Sequence, residues 1–260
     1  MKPIGEITQY IDVAQVVLYM FWIFFGSLVI YLNRESKREG YPLDSGNPND
    51  PDIGLVSMPE PKTFLMPHGD PIVQPHPSRD DRRPVAARPM GRWMGAPLIP
   101  TGNPLVDGVG PAAWAERHPE PELTLDGRIK VVPLRIAKDV WLESRSPDAR
   151  GMPVVAADGN VAGTVKDIWV DRSETMVRYY EVEVPAHGGG TRHVLLPSNC
   201  TRIRGRTGPV RVVSITAAQF SDVPATAHPE QVTCREEDRI MGYYAGGYLY
   251  ATPSRQEPLL

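Results

Sequence analysis

The chain has 260 residues, a formal net charge of −3, 41% hydrophobic residues and 23% charged ones. That balance gives neither the concentrated basic stripe of a nucleic-acid binder nor the polar bias of a disordered chain. Cys200 and Cys234 are its two cysteines, with no CxxC or Cys/His cluster, which argues against a zinc finger and predicts small buried or half-buried thiols.

Near the start, Val13 to Leu32 reads VAQVVLYMFWIFFGSLVIYL, without a charge and with Gln15 and Ser27 as its clearly polar residues. A helix needs about 20 apolar residues to cross a bilayer core of roughly 30 Å. Tyr10 and Tyr31 sit near the two ends, where amphipathic rings favour the headgroup level. A buried soluble helix would show a polar stripe. A cleaved signal peptide would show a basic start and a small-residue cleavage site. Neither pattern is present, so the run predicts one transmembrane α-helix over 12–33. Arg34, Lys37 and Arg38 follow the span while Lys2 alone precedes it. The positive-inside rule therefore places residues 1–11 in the periplasm and the rest of the chain in the cytoplasm.

From Tyr41 to Pro104 the chain carries 14 of its 28 prolines, which excludes long helices and central strands. It also carries Leu55, Val56, Met58, Phe64, Leu65, Met66, Trp93, Met94 and Leu98, more large apolar groups than a solvated linker needs. The segment 34–125 is therefore expected to be extended and laid over partner subunits, with Lys62 to Met66 as a short strand. Arg79 to Arg83 reads as a solvated turn.

Beyond Lys130, short strands alternate with turns. Val131 to Ile136 is an edge segment, marked by Pro133. Asp158-Gly159 is a hairpin turn leading into Val161 to Asp171. Arg178 to Val184 alternates, with Tyr180, Val182 and Val184 on one face and Tyr179, Glu181 and Glu183 on the other. Gly188 to Gly190 turns the chain, and His193 to Pro197, Thr201 to Arg204 and Val210 to Ser214 are further strands. The pattern predicts a mainly β domain over 126–232, a small antiparallel barrel. A short helix at Thr216 to Phe220 and a capping box at Thr233 to Glu236 introduce a helical close over 233–260. Ile240, Met241, Tyr244 and Tyr248 are its expected apolar face. Gly246-Gly247 should weaken or end it, and the tail beyond Ala251 should fray.

No nucleophile elbow, phosphate loop or HExxH motif occurs, and the six histidines are scattered singly, so no catalytic or metal site is expected. The acidic group Asp167, Asp171 and Glu174 lies within eight residues, flanked by Arg172 and Arg178. It is either a solvated charged face or a set of carboxylates able to pass protons through water.

Five separated motifs in order carry a resemblance. They are Arg38 to Pro42 (REGYP), Pro61 to Gly69 (PKTFLMPHG), Pro100 to Trp114 (PTGNPLVDGVGPAAW), Asp167 to Glu174 (DIWVDRSE) and Glu236 to Tyr250 (EEDRIMGYYAGGYLY). With the single span, they resemble the H subunit of purple-bacterial photosynthetic reaction centres, and the β region resembles the PRC-barrel module. The resemblance implies a photosynthetic inner-membrane location and an H-type subunit without enzymatic activity that caps the L and M subunits. It further implies shielding of the quinones and a share in proton transfer to the secondary quinone. Bacteriochlorophyll, bacteriopheophytin, quinones and non-haem iron would belong to L and M, none to this chain. Membrane lipids, a light-harvesting antenna and a cytochrome subunit are further candidate partners; nucleic acid is not.

By motif position, Glu174 matches the family's acidic residue near that quinone, and Asp171 and Arg178 match its neighbours. Asp126 matches an aspartate where the path opens, and His68 a surface histidine. Some members follow that aspartate with two histidines, whereas this chain reads Leu125-Asp126-Gly127-Arg128-Ile129-Lys130. His118, eight residues upstream, is the nearest histidine, so the point where protons enter stays open. The alternative reading is a membrane-anchored PRC-barrel adaptor with no role in electron transfer.

Overall fold

The helix that opens the chain outruns its apolar stretch. In the computed structural model, which describes residues 6–8, 11–39, 41, 59–76, 81–93 and 96–256, α1 spans Val13–Arg38. At 1.5 Å per residue it is about 39 Å long. It follows a short antiparallel pair, β1 (Glu6–Thr8) and β2 (Ile11–Asp12). Asp12 caps it, its carboxylate accepting the Gln15 N–H at 2.7 Å. The expected end at Asn33 is passed because Arg34, Glu35, Lys37 and Arg38 are good helix formers. Glu35 also accepts from Arg38 Nε at 3.0 Å one turn later. No residue in the window of α1 that is apolar enough to cross a membrane is buried in the structure.

The residues divide into two units, 1–80 with 91–96 and 81–90 with 97–260. In the first, β3 (Lys62–Phe64) and β4 (Ile72–Gln74) form a hairpin shorter than the strand expected at 62–66. Lys62 donates to Glu35 at 2.8 Å, and Arg38 donates to the carbonyls of Glu60 and Gln74, tying the hairpin to the last turn of α1. Several apolar residues of the proline-rich stretch, Leu55, Val56, Met58 and Met94 among them, lie outside the described residues.

In the second unit, β5 (Ala87–Pro89) pairs β6 (Leu98–Pro100), and α2 (Pro104–Asp107) follows an Asn103 cap. Arg83 is no solvated turn residue. Its guanidinium stacks 3.5 Å from the Trp114 ring centroid and donates to the Trp114 carbonyl at 2.7 Å.

The main sheet has seven strands: β7 (Val131–Pro133), β8 (Pro153–Val155), β9 (Val161–Asp171), β10 (Met176–Pro185), β11 (Thr191–Pro197), β12 (Thr201–Ile203) and β13 (Val210–Val212). Their order is β11-β10-β9-β8-β13-β12, antiparallel except where β13 runs parallel to β8. The long β9 hosts two short neighbours in succession, β8 against Val161–Thr164 and β7 against Trp169–Asp171. Pro133 is tolerated because β7 pairs with β9 alone. The core holds Val154, Val165, Ile168, Trp169, Val182, Leu196, Phe220 and Ile240, all within 1% of full burial. Each such aliphatic or phenyl side chain contributes about 1.5–3 kcal/mol by leaving water.

The two faces of β10 are not divided as alternation predicts. Tyr179 is 2% exposed and Glu181 is 7% exposed. Register shifts at Val177/Tyr179 and Glu181/Val182 re-aim the side chains, and both polar groups find partners inside.

The closing helix, α3 (Cys234–Tyr250), has both halves of the capping box in place between Thr233 and Glu236. It does not end at Gly246-Gly247. There the glycines let the helix lie against neighbouring backbone: a Cβ at Gly247 would stand 2.5 Å from the Ser214 carbonyl oxygen, and one at Gly246 2.5 Å from Ala112 Cβ. Tyr243 takes the buried place expected of Tyr248, which is 51% exposed. The tail is held as far as Gln256, because the Arg255 guanidinium donates to the carbonyls of Val213, Ser214 and Gly247. Cys200 is buried and Cys234 half-buried, both as free thiols.

Candidate functional site

The turn from β9 to β10 places the carboxylates. Asp171 closes β9 and is fully buried. Its Oδ1 accepts the Ser173 N–H at 2.8 Å and the Glu174 N–H at 3.0 Å, which folds the chain back on itself. Thr175 then takes φ +50°, a left-handed conformation unusual for a β-branched residue. Asp171 Oδ2 is left buried without a hydrogen bond.

What faces that oxygen is Lys130. Its Nζ stands 3.7 Å from Asp171 Oδ2, 4.0 Å from Glu174 Oε1 and 3.1 Å from Glu122 Oε1. Asp126-Gly127 explains why Lys130 is there. Gly127 adopts φ +75°, the chain reverses, and the Lys130 N–H reaches the Glu122 carbonyl at 2.9 Å. Burial pulls the Lys130 ammonium down, but the Glu122 hydrogen bond and the charges of Glu122, Asp171 and Glu174 outweigh it, so its pKa is raised. The side chain of Glu174 is 58% exposed, which puts it at the mouth of the group and Asp171 at its floor.

The remaining sequence candidates fall elsewhere. Asp126 lies 3.6 Å from Arg128 and starts an alternating ladder: Arg128 to Asp139 at 3.0 Å, then Arg172 to Asp139 at 3.5 Å. Arg172 thus points away from Asp171 even though it is next in sequence. Arg178 approaches Glu237 of α3 at 3.7 Å. Glu237 in turn accepts the Tyr179 hydroxyl at 2.6 Å, and burial, then the Glu237 charge, raise the phenol's pKa. His118 is exposed, 3.9 Å from Glu120. His68 belongs to the first unit, in the turn between β3 and β4.

Asp167 separates from its sequence neighbours altogether. Arg135 Nη1 bridges Asp167 at 3.0 Å and Glu181 at 2.6 Å, and Trp169 Nε1 and His193 Nδ1 complete the shell of Glu181 at 3.0 and 2.6 Å. Burial raises the Glu181 pKa, but the hydrogen bonds from Arg135, Trp169 and His193 more than reverse it, and the net shift is downward. Sequence reasoning missed Lys130 and Glu122; the Asp126-Gly127 turn between them is the signal that could have paired them. Arg135, in the turn after β7, carried no such signal.

The family model for the photosynthetic reaction centre H-chain N-terminal region matches residues 5–136, and that for the PRC-barrel domain matches residues 143–218. The chain belongs to the reaction-centre H-chain family. It is therefore a subunit of a photosynthetic reaction centre, and among the described residues one helix, α1, is long and apolar enough to cross the photosynthetic membrane. The matched barrel is narrower than 126–232, since β7 falls within the H-chain match. The Lys130 group draws on both regions: Glu122 and Lys130 come from the first, Asp171 and Glu174 from the second.

Proposed function

We propose that this H subunit caps the cytoplasmic face of the L and M subunits, stabilises the complex, keeps bulk water from the quinones and carries part of the proton path to the secondary quinone. The chain itself catalyses no reaction and holds no pigment; bacteriochlorophyll, bacteriopheophytin, quinones and non-haem iron sit in L and M. Residues 34–125 lie on those partners, and α1 crosses with its amino end in the periplasm, as the basic Arg34, Lys37 and Arg38 after the apolar run support.

The observation that carries the proton-transfer reading is Asp171 Oδ2, buried and unbonded, with Lys130 and the exposed Glu174 beside it. A buried quinone anion is costly, so reduction must be met by protons. A proton must arrive by steps of hydrogen-bond length. Glu174 at the mouth takes it up, Asp171 holds the inner position, and the Lys130 ammonium keeps the two carboxylates from repelling one another. Arg178, tied to Glu237, steadies the start of β10, and Asp126, His118 and His68 serve as outer groups. Purification of the native complex tests the reading as a whole. Near-infrared bacteriochlorophyll bands and a reducible secondary quinone should co-purify with this chain; a colourless preparation would favour the adaptor instead.

A further inference from the structure

From Val184 to Ser221 the chain contains no acidic residue, yet the β12–β13 hairpin and its turn carry Arg202, Arg204, Arg206 and Arg211. All four are exposed, and none has an ion-pair partner among the described residues. Arg202 and Arg211 stand directly opposite each other across the two strands. Like charges in that position destabilise a sheet. The sequence's even overall balance hides this concentration, which the antiparallel pairing brings together.

Beside the hairpin lies a recess of about 520 Å³, whose lining includes Val140, Trp141, Glu143, Asp148, Arg150 and Arg206. Trp141 is 81% exposed. Arg206 donates to the Ser144 carbonyl at 2.6 Å, which fixes the hairpin turn against the Trp141 loop. Arg145 and Arg150 are neutralised by Glu143 and Asp148, so the uncompensated charge is that of the hairpin.

We propose that the Trp141 loop and the β12–β13 hairpin form a peripheral docking surface for anionic lipid headgroups. Guanidinium forks match phosphate oxygens geometrically. An indole with apolar neighbours on one side and water on the other suits the headgroup level of a bilayer. Because α1 anchors the same chain in a membrane, contact with headgroups is intramolecular and needs little intrinsic affinity. Single-stranded nucleic acid is the less suited occupant, since it would be held by a row of stacking rings and Trp141 is the one ring that lines the recess. The inference rests on α1 spanning a bilayer and is independent of the proton path, so either can fail without the other.

Amide hydrogen exchange on the native complex in lipid nanodiscs tests it. In discs with roughly a third phosphatidylglycerol, residues 140–150 and 201–211 should exchange more slowly than in pure phosphatidylcholine discs. The difference should vanish in Arg202→Gln/Arg204→Gln/Arg211→Gln and at about 1 M salt, where screening shortens to about 3 Å. Each single neutralisation should weaken the contact roughly fivefold, the equivalent of about 1 kcal/mol per arginine. Unchanged exchange in β9 and β10 of the triple variant shows that the fold is kept. Equal exchange in the two kinds of disc would overturn the proposal. So would equal protection in zwitterionic discs by inorganic phosphate or an oligoribonucleotide.

Discussion

Lys130 and Asp171 form a pair in which the carboxylate is fully buried and the ammonium, 3.7 Å away, is its one cationic neighbour within ion-pair distance among the described residues. The two meet at the same end of the β7–β9 pairing: Val131, next to Lys130, is the register partner of Asp171. The charge is thus built into the sheet rather than added to its surface.

Removing the cation strands the anion. Lys130→Met should destabilise the chain by about 3–5 kcal/mol near neutral pH, the range for breaking one side of a buried pair. Because the folded-state pKa of Lys130 is raised, its contribution is full below about 10.4 and is lost as pH rises through the higher folded value. Urea unfolding of wild type and variant should therefore converge above that pH. A constant gap into strong alkali would mean that Lys130 acts by packing.

The Glu181 cluster gives the opposite sign. Its folded-state pKa is lowered, so its contribution is present above about 4.3 and disappears as pH falls through the folded value. Glu181→Gln should cost about 2–3 kcal/mol at pH 7, since Arg135, Trp169 and His193 lose the carboxylate they share. It should also flatten the acid limb of the stability curve, as thermal melts across acid pH would record.

How much of this was legible depends on whether one segment held the information. The Thr233–Glu236 capping box, the Asp158-Gly159 turn and the apolar run of α1 are local, and each appears where the sequence puts it. Gly246-Gly247 looked like a break because its reason is the Ser214 backbone and Ala112, distant in sequence. Alternation set Tyr179 and Glu181 on the face away from Val182 and Val184, and it cannot foresee that Glu237 on α3 and Arg135 beyond β7 give them buried partners. Asp171 and Glu174 were visible as carboxylates, but the cation between them required the Asp126-Gly127 reversal to be followed through to Lys130.

Thr175 holds φ +50° immediately after Glu174. A β-branched residue there costs about 1–2 kcal/mol relative to the right-handed region. Thr175→Gly should remove that strain and raise stability by about 1 kcal/mol, less the greater freedom of glycine in the unfolded chain. Calorimetry would show the gain as a higher Tm. A lower Tm would mean that the hydroxyl or methyl of Thr175 contributes more than the backbone loses.

Glu174 is the test of the proton path. Its carboxylate is exposed and 4.0 Å from Lys130, so a glutamine in its place keeps size and removes the titrating group with little structural effect. Charge separation does not depend on a proton and should be unaffected. The second, proton-coupled reduction of the secondary quinone should slow by about tenfold, less than the 10²–10⁴ of a sole proton donor because water can partly take over. Asp171→Asn should slow it further if the fold holds, but it also leaves Lys130 without its buried partner, so Glu174→Gln is the cleaner variant. The loss should grow from pH 6 to about 9 as free protons become scarce and delivery limits the rate. Flash-induced transient absorption on the purified complex measures both steps. Wild-type second-electron rates across that range would reduce Glu174 to a surface charge beside Lys130.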